Sequence, residues 1–134
     1  MRFLLDTHIL IWWLEQSPRL SAAARRVIAR ARNGKGPPLL VAEISLWEIA
    51  NLYDLGRIQL SMALKPWLER ATAAPLVERV GISAEIAAEV TALPKDFQRD
   101  PADRLLVATT RVLAATLVTA DARIRDASIC ATLF

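Results

Sequence analysis

Four short stretches of this chain put an acid at the start of a helix-forming run, three of them just after a strand-forming one: LLDTH (4–8), SLWE (45–48), RDPADRLL (99–106) and LVTAD (117–121), the third being the one with no strand before it. The acids are Asp6, Glu48, Asp103 and Asp121, with Asp100 close before the third. Each has an ordinary structural use. Ser45-x-x-Glu48 has the spacing of a capping box. Asp100 before Pro101 reads as an N-cap followed by the proline favoured at the first helical position. Asp103 then falls in the first turn, where negative charge suits the helix dipole. Asp6 and Asp121 can cap as well, and one such cap contributes on the order of 1 kcal/mol. Caps have no need to be neighbours. If these acids meet in space, repulsion between them opposes ionisation, and capping does not explain the meeting. A hard divalent cation does, because it prefers carboxylate oxygen. With no histidine or cysteine in the set, Mg²⁺ or Mn²⁺ is favoured over zinc. The chemistry such ions support is activation of water and stabilisation of the leaving oxygen in phosphodiester hydrolysis.

Whether the acids meet depends on the elements that carry them. Residues 2–6, 39–42, 76–82 and 116–119 read as strands, and the tail from Ala127 as a further one. Residues 8–14, 21–32, 45–55, 62–73, 83–93 and 100–113 read as helices, with a short helical turn from Asp121. Ser21 opens one helix, and Gly56 and Pro94 close two others. Alternating strands and helices predict an α/β fold of one domain, residues 1–134, with a central parallel sheet and helices on both faces. In such a sheet all strand carboxyl ends share one edge. Asp6, Glu48 and Asp121 follow three different strands and gather there. The helix bearing Asp103 feeds a strand from the opposite edge, so its N-terminus returns to the same place.

Composition narrows the field. The 134 residues are 54% hydrophobic, which excludes a disordered chain. A net charge of +3 is compatible with a polyanionic partner without demanding one. Cys130 is the sole cysteine, so no intrachain disulfide or cysteine-built zinc site can form, and a reducing cytoplasm fits best. Asp6 interrupts the first apolar stretch and no small-residue cleavage site follows, which argues against a signal peptide. No apolar run approaches a membrane span.

The stretches LLDTH (4–8), SLWEIA (45–50), LGRIQL (55–60), RDPADRLLVAT (99–109) and LVTADARI (117–124), in this order, resemble the PIN-domain ribonucleases, specifically the VapC-type toxins of toxin–antitoxin pairs. The resemblance covers almost the whole chain. It implies a PIN-like three-layer fold, with Asp6, Glu48, Asp103 and Asp121 as the catalytic, metal-binding acids and Asp100 as second choice. Thr7 and Thr119 match hydroxyl positions beside the first and last acids and take outer-shell roles. The implied activity is Mg²⁺- or Mn²⁺-dependent hydrolysis of RNA, with transfer RNA or ribosomal loops as targets, leaving a 5′-phosphate and a 3′-hydroxyl. The implied partners are a small antitoxin that blocks the acidic site and a second copy of the chain.

Basic, aromatic and histidine residues carry weaker signals. Arg99, Arg104, Arg123 and Arg125 lie near the acids and could hold RNA phosphates; a solvated or salt-bridged surface is the competing reading. Arg25, Arg26, Arg30, Arg32 and Lys35 read as a charged exposed face. Trp47 is expected in the core. Trp12 and Trp13 lie on a helix apolar all round and are candidates for an interface. His8, the sole histidine, is expected to be packed or hydrogen-bonded rather than a general base. A phosphoacceptor domain wants a lysine after a late strand, but the last lysine is Lys95. A DxDxT phosphatase fails because His8 stands at the second acidic position. Two narrower alternatives stay open: a catalytically silent PIN-like RNA-binding module, and a PIN nuclease outside toxin–antitoxin systems.

Overall fold

The computed structural model describes residues 1–134. Five parallel strands form one sheet: β1 (Phe3–Leu5), β2 (Leu39–Ala42), β3 (Val77–Val80), β4 (Thr116–Val118) and β5 (Thr132–Leu133), in the spatial order β3-β2-β1-β4-β5. Seven α-helices surround it: α1 (Thr7–Leu14), α2 (Ala22–Arg32), α3 (Glu43–Asp54), α4 (Leu64–Ala71), α5 (Ala84–Glu89), α6 (Pro101–Val112) and α7 (Ala122–Ala127). A 3₁₀ turn, Val90–Ala92, extends α5.

The inner strands β1 and β2 are apolar at consecutive positions because both faces of the sheet are covered there, whereas the edge strand β3 exposes Glu78 and Arg79. Alternate residues point to opposite faces. Leu5, Leu39, Val41 and Val118 pack with Ile9, Ile28, Ile49 and Trp67 from α1 to α4. Leu4, Leu40, Ala42 and Leu117 pack with Leu106, Val107 and Ile124 from α6 and α7. Register is set by Leu4, which pairs with Leu40 on one side and Leu117 on the other. A one-residue slip would exchange the two sets of core side chains.

A second device holds α1 to α4. The Glu15 carboxylate, just past α1, accepts hydrogen bonds from the Ser61 N–H (3.0 Å), the Ser61 hydroxyl (2.9 Å) and the Trp67 indole N–H (2.9 Å). It thereby satisfies the polar atom of a tryptophan that is otherwise fully buried.

Two sequence readings need correction. Helix α3 begins at Glu43, directly after β2, and its N-cap Ala42 offers no side-chain bond. Ser45 is therefore inside the helix and does not cap it; Ser45-x-x-Glu48 is not a capping box, and Glu48 lies in the second turn. Trp47 is not a core residue but 59% exposed, because Ser45 and Ile49 take the buried face of the helix. Smaller differences occur at the third strand and at the helix expected over 62–73, both of which are shorter than expected. No helix is long and apolar enough to cross a membrane.

Candidate active site

The strand order changes direction at β1. From there the chain goes to β2 and β3 on one side and to β4 and β5 on the other. In parallel sheets the cleft beyond the carboxyl ends opens at such a switch. Asp6 stands there, as the residue after β1 and the N-cap of α1. A cavity of about 340 Å³ opens above it, lined by Asp6, Glu48, Asp100, Asp103 and Asp121 together with His8, Trp12, Ala120 and Arg123. All four acids singled out in the sequence, and the second-choice Asp100, reach one cleft.

Protein donors hold Asp6, Asp100, Asp103 and Asp121. Asp6 is buried; Oδ1 accepts from the Thr7 N–H and Oδ2 from the Thr119 hydroxyl, both at 2.6 Å. The Thr119 oxygen in turn accepts the Asp121 N–H at 3.1 Å, so one hydroxyl links the first and last acids. The hydroxyls of Thr7 and Ser45 lie 2.9 Å apart, and Thr7 stands beside the Glu48 carboxylate and favours its charged form. Asp103 Oδ2 accepts from the Gln98 amide at 2.7 Å, and Gln98 reaches Asp121 as well. Asp121 caps α7 through the Arg123 N–H (2.9 Å) and pairs with the Arg123 guanidinium at 3.3 Å. Asp100 caps α6 by accepting the Asp103 N–H at 3.1 Å, as its place before Pro101 suggests.

The electrostatics follow from burial and crowding. Burial pushes Asp6 and Glu48 above the usual carboxylate range, against the hydrogen bonds that favour their charged forms. Asp103 is pushed up to about 7, first by burial and then by the charges of Asp100, Asp6, Glu48 and Asp121. Asp121 goes the other way. Burial raises it, but the Arg123 hydrogen bonds and charge and the Gln98 amide together bring it below the ordinary value.

No three of these side chains are already drawn close enough to clasp one ion. The acids stand around the cleft wall, facing one another through it. The set nevertheless suits a hard divalent cation: the donors are all carboxylate oxygen, and the mutual repulsion that raises Asp103 is what a cation would relieve.

The basic residues divide. Arg104 donates to the carbonyls of Val90 (3.2 Å), Phe97 (3.4 Å) and Gln98 (3.4 Å), which commits it to holding the loop ahead of α6. Arg123 lines the cleft itself. Arg125 lies over the Phe134 ring at 5.7 Å, and Arg99 is exposed. His8 is exposed at the rim. Two polar residues at the site were not singled out from sequence as part of it. Gln98 lies five residues before the acid it holds, with no pattern to mark it. Ser45 resembled a cap.

The PIN domain family model matches residues 3–129. The chain is a PIN-domain protein. Over 123 residues this PIN domain is 43% identical to Ribonuclease VapC22 of Mycobacterium tuberculosis, spanning 92% of this chain and 89% of that relative. Its fold resembles a chain in the crystal structure of VapBC2 from Rickettsia felis bound to a promoter DNA fragment, with a TM-score of 0.73, 16% identity and coverage of 99% and 98%. It also resembles a chain in FitAcB from Neisseria gonorrhoeae, with a TM-score of 0.67, 15% identity and coverage of 98% and 96%. The parallel sheet covered on both faces is the architecture expected of this fold.

Proposed function

We propose that this PIN-domain protein is a divalent-metal-dependent endoribonuclease that acts as the toxin of a toxin–antitoxin pair. The observation that carries the reading is the convergence of five carboxylates, from distant parts of the chain, on one cleft at the switch point of the sheet. The ribonuclease relative from M. tuberculosis supports the reaction class, and the toxin–antitoxin complexes among structures of the same fold support an antitoxin partner.

Asp6, Glu48, Asp103 and Asp121 would hold Mg²⁺ or Mn²⁺. When bound, the cation supplies charge that lowers the pKa of water and offsets negative charge developing on phosphoryl oxygens. The chain's own residues fix the geometry. Thr119 and the Thr7 N–H orient Asp6, Thr7 favours the charged form of Glu48, and Gln98 orients Asp103. The exposed guanidinium of Arg123, at the cleft mouth, is placed to exchange Asp121 for an RNA phosphate. Water attacks phosphorus in line, the bond from phosphorus to the 3′ oxygen breaks, and that oxygen takes up a proton. The products carry a 5′-phosphate and a 3′-hydroxyl.

Partner surfaces accompany this reading. Trp47, Tyr53 and Leu55 leave apolar area exposed on and just beyond α3, which suits a second copy of the chain. A cavity of about 560 Å³ lined by Trp13, Leu20, Ile28 and Leu76 and edged by Arg32 and Arg70 suits an antitoxin segment with apolar and acidic side chains.

The test is cleavage of cellular RNA by purified wild type, Asp6→Asn and Asp121→Asn, in Mg²⁺ and in EDTA, followed by sequencing of the new ends. Wild type should cut only with metal, and both variants should be inactive. Undiminished cleavage by either variant sinks the proposal.

A further inference from the structure

One wall of the acid cleft is aromatic. His8 and Trp12 both line the cavity that holds the carboxylates. Their ring centroids are 6.3 Å apart and tilted by 60°; Trp12 and Phe134 are also 6.3 Å apart, tilted by 53°. The three rings form a strip running from the cleft across the surface toward β5. The rings are tilted against one another rather than stacked in parallel. Trp12 and Phe134 are only partly buried, and His8 is exposed. Trp67 makes the contrast: it is 1% exposed, with its indole N–H tied to Glu15.

Cations flank the strip. The Arg19 guanidinium lies 6.0 Å from the Trp12 ring centroid, and Arg125, on α7 four residues beyond Asp121, lies 5.7 Å from that of Phe134. Partly exposed aromatic faces interleaved with guanidinium groups and continuous with an acidic cleft fit an unpaired polynucleotide, whose bases stack while its phosphates pair with arginine. An acidic peptide would meet the charges but has no general use for a row of ring faces.

We propose that His8, Trp12 and Phe134, with Arg19 and Arg125, form a stacking ledge that binds unpaired nucleotides of single-stranded RNA next to the phosphodiester to be cut. The inference rests on the nuclease reading for its substrate, and it gives that reading a preference for unpaired over helical RNA. Stacking tolerates any base, so the ledge positions RNA without selecting a sequence.

The test measures binding apart from cleavage, so a failure of the nuclease reading shows in the cutting assay and not here. A short fluorescein-labelled single-stranded RNA is titrated with metal-free protein in EDTA, and anisotropy is read. Trp12→Ala should weaken binding about tenfold, the loss expected for one stacked base. Trp12→Phe, which keeps an aromatic face and fills most of the volume, should retain most of the affinity. Phe134→Ala and His8→Ala, which remove smaller rings, should each weaken it by a smaller factor. An RNA made abasic throughout should bind wild type and Trp12→Ala alike, because the phosphate contacts survive. Arg125→Ala should flatten the dependence of affinity on salt. Equal affinity of wild type, Trp12→Ala and Phe134→Ala for the intact RNA overturns the proposal. So does a loss with Trp12→Ala that is as large for the abasic strand, or a loss confined to antitoxin binding.

Discussion

Asp103→Asn should stabilise the metal-free protein at alkaline pH, although it removes a proposed metal ligand. Asp103 is pushed from an ordinary 3.8 up to about 7 by burial and by its four acidic neighbours. A carboxyl that binds its proton more tightly folded than unfolded favours the folded state below its unfolded pKa and loses that advantage as pH rises through the folded one. Stability of the metal-free chain should therefore fall between about pH 4 and pH 7 on account of this group. The gap from 3.8 to about 7 sets a ceiling of about 4 kcal/mol. The side chain is only partly buried, and water screens part of the repulsion. A working figure is about 1–2 kcal/mol, or roughly 5 °C in Tm for a domain of this size. Asparagine keeps an oxygen for the Gln98 amide and removes the charge. The assay is urea unfolding in EDTA at pH 5 and pH 8. At pH 5 the variant's advantage should be about a third of its value at pH 8, where it should be fully developed. Millimolar Mg²⁺ should reverse the order, since wild type gains binding energy that the variant lacks. A variant that is less stable at pH 8 in EDTA, or a difference unchanged between the two pH values, would refute the electrostatic account of this cleft.

Gln98→Ala should weaken Mn²⁺ binding by about tenfold, as loss of an outer partner does, when measured by calorimetry without RNA; Gln98→Glu should bind Mn²⁺ at least as well as the alanine variant through its added charge. Thr119→Val should lower cleavage while leaving the fold intact, because Asp6 loses its hydroxyl donor and its pKa rises further; the pH at which Mg²⁺-dependent activity appears should move up. Glu15→Ala should cost about 2 kcal/mol in urea unfolding, because the buried Trp67 indole N–H loses its acceptor, with no change in Mn²⁺ affinity. Asp121 acts in the opposite sense to Asp103. Its depressed pKa contributes stability above the unfolded value that is lost as pH falls through the folded one, so Arg123→Ala should reduce stability slightly at neutral pH and lose that effect in strong acid.

Much of the fold could be read from local signals that have no competitor. Ser21 caps α2 as its hydroxyl predicts, Asp100 and Pro101 open α6, and the apolar run Leu39–Ala42 is β2. The meeting of the acids also followed from pattern, because parallel strands fix which ends lie together. The start of α3 misled because Ala42 sends the chain into the helix with no polar cap, while Ser45 three residues later has the chemistry of one. The hydroxyl is spent instead on Thr7, across 38 residues of sequence. Trp47 misled because size and hydrophobicity do not say which side of a helix is covered. Gln98 was invisible, since an amide becomes part of a site only through the loop conformation that Arg104 and its carbonyl contacts impose.

The link through Thr119 has a consequence in time. Its hydroxyl joins one acid, Asp6, to another made 115 positions later, Asp121. Until β4 has left the ribosome and paired with β1, Asp6 has neither its hydroxyl donor nor the last of its acidic companions. A growing chain therefore carries no assembled cleft until β4 has been made and has paired with β1. The order of synthesis thus sets when the five carboxylates first face one another.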